Sequence, residues 1–299
     1  MLGTQRRFHC LKRGSNDLDA IPIVLIAGLT NGKVMLDYFL GNRFFDVKLV
    51  ITKPDDVNLP RHVNFPDDPR IEKSGSAERL YDRILRASPE FIFVAGWSEI
   101  LSSKLLSIPP GGVIGFHPSV LPLDRGRSVL AWQISEGYES SGLTLFYYDG
   151  TPDHGDIIGV ERFGIEENDT ISDVLDKVDD ATENLLKSYA PLLRLGIAPR
   201  HPQDHSLATW RRLRVEQDSF INWDRNSSTI YNHIRAISHP YPGAKFILEG
   251  EVKTLCRSQL ALDIPFGCEQ PPGTLLAKLY DGSLIYKTRD SAIRVFLVD

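Results

Sequence analysis

The chain has 299 residues, 42% of them hydrophobic and 24% charged, with a net charge of −5. That length calls for two domains or one large one, and the composition excludes a disordered chain, a fibre and a disulfide-stapled miniprotein. The acidic balance removes any bulk-charge case for nucleic-acid binding and leaves only local basic patches.

Residues 1–20 hold Arg6, Arg7, Lys12 and Arg13 without an apolar stretch and read as a tail. Three cysteines, Cys10, Cys256 and Cys268, form no metal-ligand spacing. An odd count with no leader suits free thiols in a reducing cytoplasm, and no metal is expected. Residues 21–28 are β-branched, continuous and ended by Gly28, the pattern of a buried strand. A short helix is expected over 34–40 and a second strand over 45–52. Two Pro-Asp-Asp clusters mark residues 54–70 as loop. Residues 77–87 place Leu80, Ile84 and Leu85 on one helical face. A third buried strand covers 91–97, a short helix runs through Leu106, and a fourth strand covers 113–117. No apolar run is long enough to span a bilayer. This alternation predicts an α/β domain, a mostly parallel sheet with helices on both faces.

Residues 142–148 and 156–163 then predict a hairpin. Ile171, Val174, Leu175, Val178, Leu185 and Leu186 recur at helical spacing behind a Thr170–Asp173 capping box, and Gly196 and Pro199 end that helix. Residues 199–205 are a linker by composition. The remainder has short alternating runs (245–248, 284–287, 292–298) split by glycine and proline, which predicts a small β domain, a barrel in form. The expected division is a tail over 1–20, a catalytic domain over 21–200 and a β domain over 201–299. No repeat or low-complexity tract is present.

Some signals are weak. Gly28-Leu-Thr-Asn-Gly32-Lys33 resembles a phosphate loop but is one residue short and has Val34 where Ser or Thr should hold magnesium. It reads as a glycine-rich strand-to-helix turn. His201 and His205 sit in the proline-rich linker and read as solvated. Tyr147 and Tyr148, adjacent on a strand, read as one core and one surface aromatic.

The informative stretch runs from residue 91 to 160. His117-Pro-Ser-Val-Leu-Pro122 is followed by Arg125-Gly-Arg127, and thirty-five residues after His117 comes Pro152-Asp-His-Gly-Asp-Ile-Ile158. Both motifs at this spacing resemble the formyltransferases that use 10-formyltetrahydrofolate, most nearly the amino-sugar branch. Ile221-Asn-Trp-Asp224 and the run from Ile230 to Ala244 resemble the start of the C-terminal domain of tRNA and sugar formyltransferases. The resemblance covers most of the chain beyond residue 20. It implies a Rossmann-like first domain and an OB-like small barrel.

The chemistry accounts for the residue types. An amine attacks the formyl carbon carried on folate N10, charge builds on the formyl oxygen, one proton leaves the amine and one reaches N10. That needs a group titrating near neutrality, a charge partner and oxyanion donors. By match to the motif, His117 is the catalytic histidine and Asp153 the carboxylate that tunes it. Asp156 reads as loop-structuring. The family segment lining the pterin pocket falls on Trp97, Ser98, Ile100 and Leu101, and the loop closing over the pterin on Asp149, Gly150, Thr151 and Pro152. An apolar slot with a few fixed polar groups suits a flat heterocycle. Arg125 and Arg127 either contact an anionic acceptor or pair with nearby acids. Asn232, Arg235, Tyr241 and Pro242 read as shaping the domain junction.

One position departs from the family. An Asn usually stands two residues before the histidine and offers its amide to the oxyanion; here that position is Gly115. Losing one such donor costs roughly a hundredfold or more in rate. Either protonated His117, a backbone N–H or a water substitutes, or the catalyst is weak. The intact His117 and Asp153 favour substitution.

Residues 201–299 carry 12 Lys and Arg against 11 Asp and Glu, leaving a net of −6 on residues 1–200. A tRNA binder should show a basic face. The balance therefore favours a small amino-sugar acceptor, nucleotide-linked, over methionyl-tRNA. Folate hydrolysis is the other alternative, disfavoured by the barrel-like end domain. The apolar strands of that domain offer a surface for a homodimer.

Overall fold

The structure is a computed structural model that describes residues 19–54, 63, 65–261 and 269–298. Most of the expected tail, part of the 54–70 loop, Cys10 and Cys268 lie outside the described residues. Cys256 is an exposed free thiol.

The first domain runs β1 (Ile21–Ala27), α1 (Leu29–Leu40), β2 (Phe45–Thr52), β3 (Ile71–Lys73), α2 (Tyr81–Ala87), β4 (Phe91–Ala95), α3 (Ser103–Leu106) and β5 (Gly112–His117). It continues through β6 (Arg125–Gly126), α4 (Val129–Ser135), β7 (Ser140–Tyr147), β8 (Ile157–Gly164) and α5 (Ile171–Leu195). The main sheet has the order β3-β2-β1-β4-β5-β7-β8. β1 to β5 are parallel, and the β7–β8 hairpin adds antiparallel at the edge. Alternate strand residues feed two cores. One packs against α1, α4 and α5, the other against α2 and α3, as strands without a polar face require. The chain moves outward from β1 to β3 and resumes at β4 on the other side of β1. That reversal opens a crevice at the carboxyl ends of β1 and β4.

Three local expectations shift. α1 starts at Leu29, not at residue 34, because Gly28 is an extended N-cap and Gly32 lets the first turn lie on β1; a Cβ there would stand 3.1 Å from the Ala27 Cα. Lys33 pairs with Asp37 at 2.5 Å along that helix. Leu85 is 49% exposed while Ile84 is fully buried. A 3₁₀ turn over Glu78–Leu80 precedes α2, so one helical register does not run through 77–87. Tyr147 is buried, but Tyr148 is half-buried in a cavity wall rather than on the outer surface. The Thr170–Asp173 capping box opens α5, and Gly196 at φ 71° closes it.

Residues beyond α5 stay with the first domain for some distance. His201 bridges Ile157, and β9 (Trp210–Arg211) pairs in parallel with β6. Then follow α6 (Ser227–Ala236) and β10 (Ala244–Leu248), β11 (Glu251–Leu260), β12 (Leu275–Lys278), β13 (Leu284–Lys287) and β14 (Ala292–Leu297). These five strands form one curled antiparallel sheet, a half-barrel in the order β10-β11-β14-β13-β12. At the junction Arg235 donates to the carbonyls of Asp169 at 2.6 Å and Glu166 at 3.2 Å and to Asn232, the bridging role expected of it.

Candidate active site

A cleft of about 1050 Å³ opens at the carboxyl ends of β1, β4 and β5, with the segment from Trp210 to Lys245 as its opposite wall. Its floor is the end of β5. His117 is the last residue of that strand and is nearly buried. Its Nε2 lies 2.8 Å from the Asp124 carbonyl oxygen. A carbonyl only accepts, so Nε2 carries the proton and Nδ1 is turned to Asp153, 3.3 Å from Oδ1. The second oxygen of Asp153 accepts the Gly126 N–H at 2.8 Å. Gly126 has φ 101°, and a side chain there would meet the Arg211 carbonyl, so only glycine presents that N–H. Burial pushes the Asp153 carboxyl up. The hydrogen bond and charge of His117, the Gly126 N–H and the Arg125 charge outweigh it and leave the carboxyl below its ordinary value.

The loop that places His117 is itself fixed from the far wall. Asp124 accepts from Gln133 Nε2 at 2.8 Å and Arg211 Nε at 2.7 Å. Arg211 also holds Glu136 through two bonds of 2.6 and 2.7 Å. That pairing raises the guanidinium further above its usual value. Asp124, Gln133 and Arg211 lack any local motif, so nothing in the sequence singles them out; the β6–β9 pairing brings Arg211 to the other two.

The residues expected to hold folate gather along one side. Trp97, Ser98, Ile100 and Leu101 line the cleft just past β4, and Gly150, Thr151 and Pro152 line it from the β7–β8 connection. Trp97 Nε1 donates to Glu99 at 3.0 Å, and Glu99 also accepts the Ala77 N–H at 2.7 Å, which fixes the indole. Ile100 is 71% exposed, free to be covered by a ligand. Asp149 is not in the lining: it accepts from the Thr151 N–H at 3.0 Å and lies 2.5 Å from His154 Nδ1, so it shapes the loop. Asp156 likewise stays outside, 4.0 Å from Arg200. Tyr241 and Pro242, expected at the junction, also line the cleft.

The two arginines part company. Arg127 lines the cleft and is exposed. Arg125 is buried and outside the lining. Its Nη2 donates to Gln203 Oε1 at 2.5 Å and to His205 Nδ1 at 2.9 Å. Burial holds its guanidinium below the usual value. It pins the 201–209 segment to the first domain, and its charge acts on Asp153 from there. His205 is taken up in that contact and in a 3.8 Å stack on His154, and no metal-holding cluster exists among the described residues. No described helix is long and apolar enough to cross a membrane.

Residues 23–189 match the family described as formyl transferase, and residues 215–298 the formyl transferase C-terminal domain. A methionyl-tRNA formyltransferase of Desulforamulus reducens is 32% identical over 197 residues, 66% of this chain and 61% of that protein. One from Bacillus cytotoxicus is 29% identical over 263 residues, 84% of this chain and 82% of that protein. The crystal structure of an N-formyltransferase from Helicobacter canadensis, in complex with folinic acid and dTDP-3-aminofucose, aligns with a TM-score of 0.68 at 19% identity, covering 93% of this chain and 100% of that one. That likeness shows a shared fold.

Proposed function

Because the chain belongs to the formyl transferase family, we propose that it moves a formyl group from 10-formyltetrahydrofolate to the primary amine of a nucleotide-linked amino sugar. The observation that carries this reading is the His117–Asp153 pair, set on the cleft floor between an apolar slot and an open far wall. The slot fits a flat heterocycle: Trp97 and Leu101 supply apolar faces, and the 150–152 loop borders it. Bound there, 10-formyltetrahydrofolate supplies an activated formyl carbon. Asp153 holds the imidazole in one orientation and stabilises the charge it takes up. The His117–Asp153 pair takes up the proton the amine loses and returns one towards N10. Arg127 is free of any ion pair among the described residues and suits an acceptor diphosphate. Trp210, 55% exposed on the far wall, offers a face for a base.

Methionyl-tRNA is the second reading, favoured by the names of the D. reducens and B. cytotoxicus proteins. Against it stand the net charge and the far wall itself, where Lys245 is tied to Glu216 at 2.6 Å and Arg212 to Asp218 at 2.5 Å. The test incubates the protein and 10-formyltetrahydrofolate with dTDP- and UDP-linked amino sugars, a free amino sugar and methionyl-tRNA, and reads each acceptor by mass spectrometry. One formyl mass gained on a nucleotide-linked sugar, absent with His117→Ala, is expected. Formylation of the tRNA alone replaces the acceptor. Folate deformylated with no acceptor modified makes the protein a hydrolase.

A further inference from the structure

Among the described residues, β5 itself supplies no free side-chain donor for the oxygen on which charge develops. Gly115 has no side chain. His117 spends Nε2–H on the Asp124 carbonyl and faces Asp153 with Nδ1, and the Gly126 N–H is spent on Asp153. The space beside Gly115 is nevertheless filled. A Cβ built on Gly115 would stand 2.7 Å from Cζ and 2.9 Å from Cδ1 of Tyr148, closer still to Cε1. The aromatic ring occupies the volume that any side chain at 115 would need.

Strand pairing explains how it gets there. β5 and β7 pair Gly115 with Phe146 and His117 with Thr144, and the Tyr148 N–H bonds the Val113 carbonyl at 2.9 Å. Tyr148, Phe146 and His117 therefore stand on one face of the sheet. Phe146 and Tyr148 stack at 5.1 Å between ring centres, which fixes the phenol's direction. Tyr148 lines the same cleft as His117 and Asp153. Its hydroxyl has no hydrogen-bond partner among the described residues and is not sealed away from the cleft. An unengaged donor on a fixed ring, beside the catalytic pair, is the geometry that stabilises a developing oxyanion.

We propose that the Tyr148 hydroxyl is the oxyanion donor of this site, standing in the space that Gly115 leaves open. The inference rests on the formyl-transfer reading. As the amine nitrogen bonds to the formyl carbon, the carbonyl electron pair moves to the formyl oxygen, and the hydroxyl donates to that oxygen while keeping its proton. The pair then returns, the bond from carbon to N10 breaks, and one proton passes from the amine to N10. No electron is gained or lost overall. Burial and the Asp153 charge raise the phenol's ionisation further, so it remains a donor throughout the neutral range.

The test compares wild type, His117→Ala, Tyr148→Phe, Tyr148→Ala and Gly115→Asn/Tyr148→Ala. Each is assayed with 10-formyltetrahydrofolate and either dTDP-3-aminofucose or methionyl-tRNA, with folate affinity followed by Trp97 fluorescence. Tyr148→Phe keeps the ring and is expected to lose roughly a hundredfold to a thousandfold in kcat at unchanged folate affinity. The double variant is expected to regain activity over Tyr148→Ala, because an amide now reaches the vacated space. Wild-type kcat in Tyr148→Phe overturns the assignment. So does a loss of rate matched by an equal loss of folate affinity. If wild type and His117→Ala are equally inert with both acceptors, the transfer reading itself fails and the donor assignment falls with it.

Discussion

Across the cleft, the wall built from β5 and the 149–153 loop differs sharply from the wall that runs from Trp210 to Lys245. On the first, polar groups come in fixed sets: His117 between Asp124 and Asp153, Asp153 between His117 and Gly126, Asp124 between Gln133 and Arg211. On the second, Trp210, Leu213 and Val215 stand 55%, 47% and 51% exposed. The first wall has its dipoles oriented before any substrate arrives, which is what a step that develops charge requires. The second has apolar area waiting to be covered, which is what binding requires. Mutations on the two walls should therefore divide into effects on turnover and effects on acceptor affinity.

The sharpest way to break that division is His117→Ala. Turnover should fall by roughly a hundredfold to ten-thousandfold, with folate affinity by Trp97 fluorescence unchanged. A matched loss of affinity would mean the two walls are not separable. Asp153→Asn should come next, lowering kcat by about a hundredfold and changing the acid limb of stability. The folded carboxyl lies below its ordinary 3.8. Its contribution is then complete above pH of about 4 and is lost as pH falls through the depressed folded value. Thermal melts against pH should show wild type and variant converging only below that range. Convergence at neutral pH would contradict the paired carboxylate.

The adjacent arginines sharpen the comparison within two residues. Arg125→Ala should destabilise the fold by about 1–3 kcal/mol, because Gln203 keeps a buried acceptor with no partner. Arg127→Ala should leave the melting temperature in place and raise the acceptor KM. The reverse pattern would exchange their roles. The smallest effect expected is that of Trp210→Ala: an acceptor KM raised roughly threefold to tenfold, from about 0.5–1.5 kcal/mol of lost aromatic contact, with kcat unaltered.

Much of the frame is legible in the sequence because its signals are local. Continuous β-branched runs mark the strands of a sheet buried on both faces, and Thr170 with Asp173 marks the start of α5. The His117 and Asp153 motifs lie in unbroken stretches, and the structure sets the two side chains 3.3 Å apart. What escapes the sequence depends on distant contacts. Arg125 looks like Arg127 until Gln203 and His205 arrive from nearly eighty residues away. Leu85 looks buried until the 3₁₀ turn before α2 offsets its register. Tyr147 and Tyr148 read as one core and one surface aromatic because two neighbours on a strand face opposite ways. What the alternation omits is that Gly115 on the next strand makes room for the Tyr148 ring in the cleft wall.

The most direct test of the central claim is steady-state formyl transfer by wild type and His117→Ala, with tetrahydrofolate release and acceptor mass followed in the same reaction. Wild type is expected to place one formyl mass on the acceptor for each tetrahydrofolate released, and the variant to lose nearly all of both while it still binds folate. Equal rates in the two proteins would contradict it.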